Sequence, residues 1–125
     1  MSKDDLHQRL GKVDEIRLSV KGRKSNKDIT RPVWFVHDDN ILYLLPVKGS
    51  DTNWYKNLLA DPMLKISLND AEISAKGKPI TDRNGVDETV RKFKSKYSEG
   101  DVKKYYSKFD AAVEVPLWQI FPGIA

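Results

Sequence analysis

The densest set of anion-binding side chains lies in SVKGRKSNKDITRPVW, residues 19–34, where Lys21, Arg23, Lys24, Lys27 and Arg31 stand against a single acid, Asp28. Arg offers a planar fork of donors, Lys a point charge, and Ser25 with nearby backbone N–H groups offers neutral donors. Gly22 lets the chain turn. Taken by itself, such a loop reads first as a solvated hairpin turn. A second stretch, VKGSDTNWYKNL, carries Lys48, Gly49 and Ser50 into the expected N-terminus of a helix, where free N–H groups also favour an anion. Asp51 beside it opposes that, unless its carboxylate is turned away.

Other chemistry is sparse. His7 and His37 are the two histidines, neither has a companion at metal-ligand spacing, and the chain has no cysteine. A zinc site, a thiol nucleophile and a disulfide framework are therefore not expected. HDDN reads as a hairpin turn rather than a carboxylate metal site. No Walker-type or dinucleotide-binding glycine loop is present, and no two carboxylates are paired for acid–base work. No catalytic side chain is assigned. If the chain is an enzyme, a cofactor is expected to carry the chemistry.

These residues must be positioned by a fold that the apolar pattern outlines. The 125 residues, 39% apolar and 32% charged, are expected to form one domain over 1–125, opening with a helix over 1–11. IRLSVK alternates, with Ile16, Leu18 and Val20 on one face. TRPVWFVH and ILYLLPV are apolar on both faces and joined by a tight turn. DTNWYKNLLADP is helical, capped by Asp51 or Thr52, with Trp54 and Leu58 sharing a face. MLKISLND alternates through Leu64, Ile66 and Leu68, and AEISAKGKPI forms one further strand. Val86, Val90, Phe93 and Tyr97 mark an amphipathic helix over 82–98 that Gly100 should break. A short helix follows, with Val102, Tyr105, Tyr106 and Phe109 on one side. AAVEVPLWQIF closes the chain as a strand, with Pro116 suggesting an edge or bulge.

Six strands linked by hairpins and short helices exclude a doubly wound parallel sheet and fit a small antiparallel barrel. One apolar face of the central hairpin lines the barrel, and the other requires a helix or a second subunit, which favours a dimer. No segment approaches a membrane span and no signal-peptide pattern opens the chain, so a cytoplasmic protein is expected.

Two motifs carry a family resemblance. GRKS followed by Arg31, and GSDTNWYKNLLADP, resemble the deazaflavin-dependent nitroreductases, which share a Gly-Arg-Lys-Ser-Gly loop, an Arg-Pro/Leu strand and a Trp-Tyr-x-Asn-Leu helix closing on Asn/Asp-Pro. That family is similar to the pyridoxamine 5'-phosphate oxidase-like, FMN-binding split β-barrels. The likeness spans roughly residues 16 to 122. It implies a mostly β (α+β) fold, a six-stranded antiparallel split β-barrel with four short helices, assembled as a homodimer. It also implies a flavoprotein-like oxidoreductase that transfers hydride between coenzyme F-420, or FMN, and a small quinone-like, nitroaromatic or enone substrate. By match of motif, Arg23, Lys24 and Ser25, with Arg31 and Lys48, would meet phosphate or an acidic tail. Gly49, Ser50, Trp54, Tyr55 and Asn57 would follow the ring and ribityl side, and Tyr105 and Tyr106 the substrate. Two departures, Asn26 in place of glycine and the charge of Asp51, bear on cofactor identity more than on fold.

Two other readings compete. A non-enzymatic cofactor carrier would need the same groove. A single-stranded nucleic-acid binder could use the basic loop with the seven bases of residues 91–108, interleaved with Phe93, Tyr97, Tyr105 and Tyr106. Helical spacing instead gives those aromatics to a buried face, which disfavours nucleic acid.

Overall fold

The computed structural model describes residues 8–68 and 71–117; the expectations for residues 1–7, including His7 and most of the opening helix, and for the end of the last strand lie outside the described residues. Residues 8–10 are helical and place Leu10 in the core. The strands are β1 (Glu15–Lys21), β2 (Asp28–Asp38), β3 (Ile41–Leu44), β4 (Met63–Leu68), β5 (Ala71–Lys76), β6 (Lys78–Ile80) and β7 (Ala112–Pro116). The helices are α1 (Asn53–Ala60), α2 (Arg83–Tyr97) and α3 (Glu99–Tyr105), with a 3-10 turn at Gly49–Asp51. All strand pairs are antiparallel, in the order β5-β4-β1-β2-β3-β7-β6.

Among the described residues seven strands form where six were expected, because AEISAKGKPI is cut at Gly77. β5 pairs with β4 at one edge of the sheet, while β6 pairs with β7 at the other. One residue separates them, and consecutive Cα atoms are about 3.8 Å apart. The two edges must therefore meet, which curls the sheet into a half-barrel. Gly77 is needed at this seam: a Cβ there would stand 2.9 Å from Leu58 Cδ2, 3.1 Å from Leu64 Cδ2 and 3.2 Å from Val113 Cγ1. β7 lies between β3 and β6 rather than at an edge. Pro116 is tolerated because it ends the strand beyond the β6 pairing, where no ladder bond needs its N–H.

Ile16, Leu18 and Val20 point inward from β1, as their alternation predicts, and meet Phe35, Leu44, Leu64, Ile66 and Val113. α1 closes one opening by adding Trp54, Tyr55 and Leu58 to this cluster. The outer face of the β2–β3 hairpin is covered from within the chain: Val36 and Leu45 pack with Phe93 of α2, Val102 of α3, Tyr106 and Ala112. The second subunit invoked to cover that face is not required for it.

Asp82 caps α2 by accepting from the Gly85 N–H at 2.8 Å. The break after α2 is at Ser98, not Gly100. Ser98 takes φ 84°, donates its N–H to Lys94, and accepts from the Asp101 N–H through its hydroxyl, so one residue ends α2 and begins α3. Gly100 falls inside the first turn of α3, with open space around its missing Cβ. α3 ends at Tyr105, so Tyr105 and Phe109 leave the buried side and are exposed, while Val102 and Tyr106 stay in the core. Among the described residues, no helix is long and apolar enough to cross a membrane.

Candidate functional site

The β1–β2 loop and α1 are fastened to each other. The loop closes on itself through Gly22 N–H to the Lys27 carbonyl and Asn26 N–H to the Gly22 carbonyl, both at 2.8 Å. Asn26 takes φ 58°, the left-handed conformation that a glycine supplies freely and asparagine tolerates well, so this departure from the glycine pattern keeps the loop's backbone shape. Arg23 then reaches α1. Its backbone N–H donates to Asn57 Oδ1 at 3.1 Å and its Nη1 donates to the same oxygen at 2.7 Å, with Nη1 also 3.4 Å from the Asn53 carbonyl.

Beside this junction lies a cleft of about 830 Å³. Its walls come from the basic loop (Gly22–Ser25), from Ile29 and residues 31–34 of β2, from Leu45, Val47 and Lys48 beyond β3, from residues 51–54, and from Asn57 and Tyr105. Glu15 also lines it. Of the residues singled out from sequence, Arg23, Lys24, Ser25, Arg31, Lys48, Trp54, Asn57 and Tyr105 are brought together here.

Four of these are cations, and among the described residues none is ion-paired with a carboxylate. Arg23 is bound by neutral oxygens, Arg31 donates to the Thr30 carbonyl at 3.1 Å, and Lys24 and Lys48 make no side-chain ion pair with a described residue. The opposing charge of Asp51 is met outside the loop: Lys108 Nζ lies 3.1 Å from its carboxylate. The C-terminal basic cluster is spent differently. Lys92 pairs with Asp38, Lys94 and Lys103 with Glu99, and Lys108 with Asp51 and Asp110. Lys96 caps the Phe35 carbonyl at 2.8 Å and lies 3.6 Å from the Phe35 ring centre, where burial lowers its pKa.

Gly49, Ser50, Tyr55 and Tyr106 do not line the cleft. Gly49 is buried with φ 55°, and Ser50 gives both its N–H, at 2.8 Å, and its hydroxyl to Asp110. Those two bonds, hydroxyl first, hold the Asp110 carboxyl below the usual carboxylate range. Thr52 precedes α1, but its hydroxyl accepts from the Lys48 N–H at 2.8 Å instead of capping the helix. The Gly49–Asp51 turn is thus pinned to residues 108–110. Tyr55 lies in the barrel core and Tyr106 in the outer cluster, where burial raises both phenol pKa values.

Sequence reasoning passed over Trp34. Its ring stacks on Tyr97 with centroids 4.3 Å apart and planes 9° from parallel, and the edge of Tyr105 meets it at 5.5 Å. Trp34 therefore joins the helical cover to the cleft wall. The signal was present in a β2 apolar on both faces, but it did not say which residue would reach the opening. The Tyr97 hydroxyl accepts from the Phe35 N–H at 3.0 Å and lies 2.7 Å from the carbonyls of Asp14 and Phe35. Burial pushes its pKa up to about 12, partly offset by the Phe35 hydrogen bond. A phenol raised in the folded state contributes stability below its unfolded value, near 10, that is lost as pH climbs through the folded value. Urea unfolding is expected to show stability falling between pH 10 and about 12, with a shallower fall in Tyr97→Phe. An equal slope in the variant would remove Tyr97 as a source.

Among the described residues, no group of three or more His, Cys, Asp or Glu side chains could hold a metal ion. The family described as "uncharacterized protein conserved in bacteria (DUF2255)" matches residues 6–114. The chain belongs to this family. No curated protein sequence matches the DUF2255 chain. Its fold recurs in solved structures. A candidate 5-nitroimidazole antibiotic resistance protein from Bacteroides thetaiotaomicron superimposes with a TM-score of 0.72 at 12% identity, over 95% of this chain and 81% of that one. An F420-H2 dependent reductase gives 0.63 at 16%, over 82% and 93%. A candidate pyridoxamine 5'-phosphate oxidase from Listeria innocua gives 0.69 at 14%, over 98% of both. At these identities the likeness speaks for fold alone: the DUF2255 chain shares with these structures a mostly antiparallel sheet curled into a half-barrel.

Proposed function

We propose that the cleft binds FMN or coenzyme F-420, and that the chain is an oxidoreductase acting on a small quinone-like, nitroaromatic or enone substrate. The observation that carries this reading is the meeting, in one cleft, of four cations with no carboxylate partner among the described residues and the aromatic and apolar wall of Trp34, Trp54, Tyr105 and Val47. Its volume lies in the range of small-molecule sites, roughly 300–1,000 Å³. The fit is chemical as well: an anionic tail needs fixed cations, and a flat ring needs an apolar slot.

Arg23, Lys24, Arg31 and Lys48, with Ser25, would hold phosphate or a carboxylate tail. Each exposed charge contact contributes about 1 kcal/mol or less, so affinity comes from several together and from ring burial at about 25 cal/mol per Å². Trp34 and Tyr105 would flank the ring and exclude water. When bound, a reduced flavin or deazaflavin supplies the hydride, which is why no protein nucleophile is needed. The chain's part is alignment of donor and acceptor. The chain, on this reading, works as a homodimer, which sedimentation at micromolar concentration would establish.

Titration of the purified protein with FMN and with F-420, followed by visible absorption, tests the reading; no binding of either at micromolar concentration would refute it. Binding without turnover of any quinone, nitro compound or enone would make the chain a cofactor carrier. Replacing Arg23 and Lys24 together by Ala is expected to lower cofactor affinity tenfold or more, about 1.4 kcal/mol. Thermal stability should fall by no more than about 1.5–3 kcal/mol, the worth of the bond from Arg23 to the buried Asn57, since the exposed Lys24 charge adds little. Unchanged affinity would make the loop a solvated turn.

A further inference from the structure

Asn57 is buried, 4% exposed, on a helix whose other buried residues, Trp54, Tyr55 and Leu58, are apolar. A polar side chain in such a place needs a reason. Its Oδ1 is the single atom on which the Arg23 backbone N–H and guanidinium Nη1 converge, at 3.1 and 2.7 Å across 34 residues of sequence. Together with the Asn53 carbonyl it fixes both the loop and the direction of the guanidinium. Both acceptors are uncharged.

That neutrality has a chemical meaning. A carboxylate in this position would hold Arg23 more strongly, because charge-assisted hydrogen bonds are about twice as strong as neutral ones. It would also cancel the arginine's charge toward anything in the cleft. An amide oxygen orients the cation and leaves its full charge to act on a ligand. The same pattern extends around the site: Arg31 rests on a carbonyl, and Lys108 takes up the nearby Asp51 carboxylate.

We infer that Asn57 is a positioning residue that aims Arg23 into the cleft while keeping its charge uncompensated, and so sets the preference of the site for anionic ligands. This rests on the cleft reading above but concerns a different link, namely the residue behind the cation.

Three variants separate this from a structural role. Asn57→Asp keeps shape and acceptor but adds a negative charge; Asn57→Ser keeps every cleft charge but cannot reach Arg23; Arg23→Gln removes the cation. Nitrogen-15 NMR of the Arg23 side chain reads its immobilisation, and titration with pyrophosphate and with FMN reads affinity. In the wild type the Arg23 guanidinium is expected to rotate slowly and to shift on adding pyrophosphate. Asn57→Asp should hold Arg23 immobile with unchanged or higher melting temperature, yet bind pyrophosphate about tenfold more weakly, matching Arg23→Gln. Wild-type affinity in Asn57→Asp overturns the inference; because the added charge also repels pyrophosphate directly, Asn57→Ser, which adds none, must weaken binding as well.

Should Asn57→Asp not fold, Asn57→Ser decides: a freely rotating Arg23 with affinity reduced about threefold supports the assignment, and wild-type affinity ends it. Pyrophosphate that shifts Arg23 in a wild type taking neither FMN nor F-420 overturns the cofactor reading and leaves Asn57 assigned. Pyrophosphate that leaves Arg23 unmoved in a wild type that takes FMN or F-420 overturns the assignment of Asn57 and leaves the cofactor reading standing.

Discussion

Phe93→Ala is expected to lower the free energy of unfolding by about 3–5 kcal/mol, the usual range for deleting a fully buried phenylalanine. Phe93 is 0% exposed and sits where α2 crosses the outer face of the β2–β3 hairpin. Its ring lies 5.8 Å from Tyr97 and 6.0 Å from Tyr106, so its loss opens a cavity among side chains that cannot simply collapse. Both neighbours touch Trp34, which extends the disturbance to the cleft wall. The measurement is urea unfolding at two protein concentrations tenfold apart. Cover supplied by the chain's own helix gives the same loss at both. A loss that vanishes at the higher concentration would return this face to a subunit interface.

Gly49→Ala is expected to cost about 2–4 kcal/mol, for two reasons acting together. A residue other than glycine in the left-handed region costs on the order of 1–3 kcal/mol. Gly49 has φ 55°, and its new Cβ would lie 2.1 Å from Asp110 Oδ1 and 3.1 Å from the Lys108 carbonyl. Asp110 could move only by releasing the N–H and hydroxyl of Ser50. Gly100→Ala is the control. It meets nothing within 4 Å inside α3, so it should stabilise by about 0.5–1 kcal/mol through helix propensity. Equal effects at the two glycines would show that neither backbone strain nor crowding governs Gly49.

The elements were legible wherever a period in the sequence reports burial. β1 and β4 alternate because each has one wet face, and α2 carries its apolar residues at helical spacing because it lies on a sheet. Junctions were less legible. AEISAKGKPI looks continuous, since nothing local says that its two halves belong to opposite sheet edges. Gly100 looked like the helix breaker because glycine is the common one, but an asymmetric serine at 98 does the work through its own hydroxyl. At the site, charge was the readable part: Arg23, Lys24, Arg31 and Lys48 do share a cleft. Orientation was not readable. Gly49 and Ser50 belong to the helix-leading motif, yet the partner of Ser50 is Asp110, 60 residues along the chain. Trp34 went unmarked because an aromatic in a doubly apolar strand is indistinguishable from core until the covering helix is in place.

Gly77 brings Leu58 close to the line where the sheet's two margins join, and Leu58 is the neighbour in sequence of the asparagine that steadies Arg23. The stitch that fastens the barrel and the proposed grip on a ligand thus share a single turn of helix. Bulk added at residue 77 would press on that turn from behind, so binding strength should register how well the barrel is sewn shut.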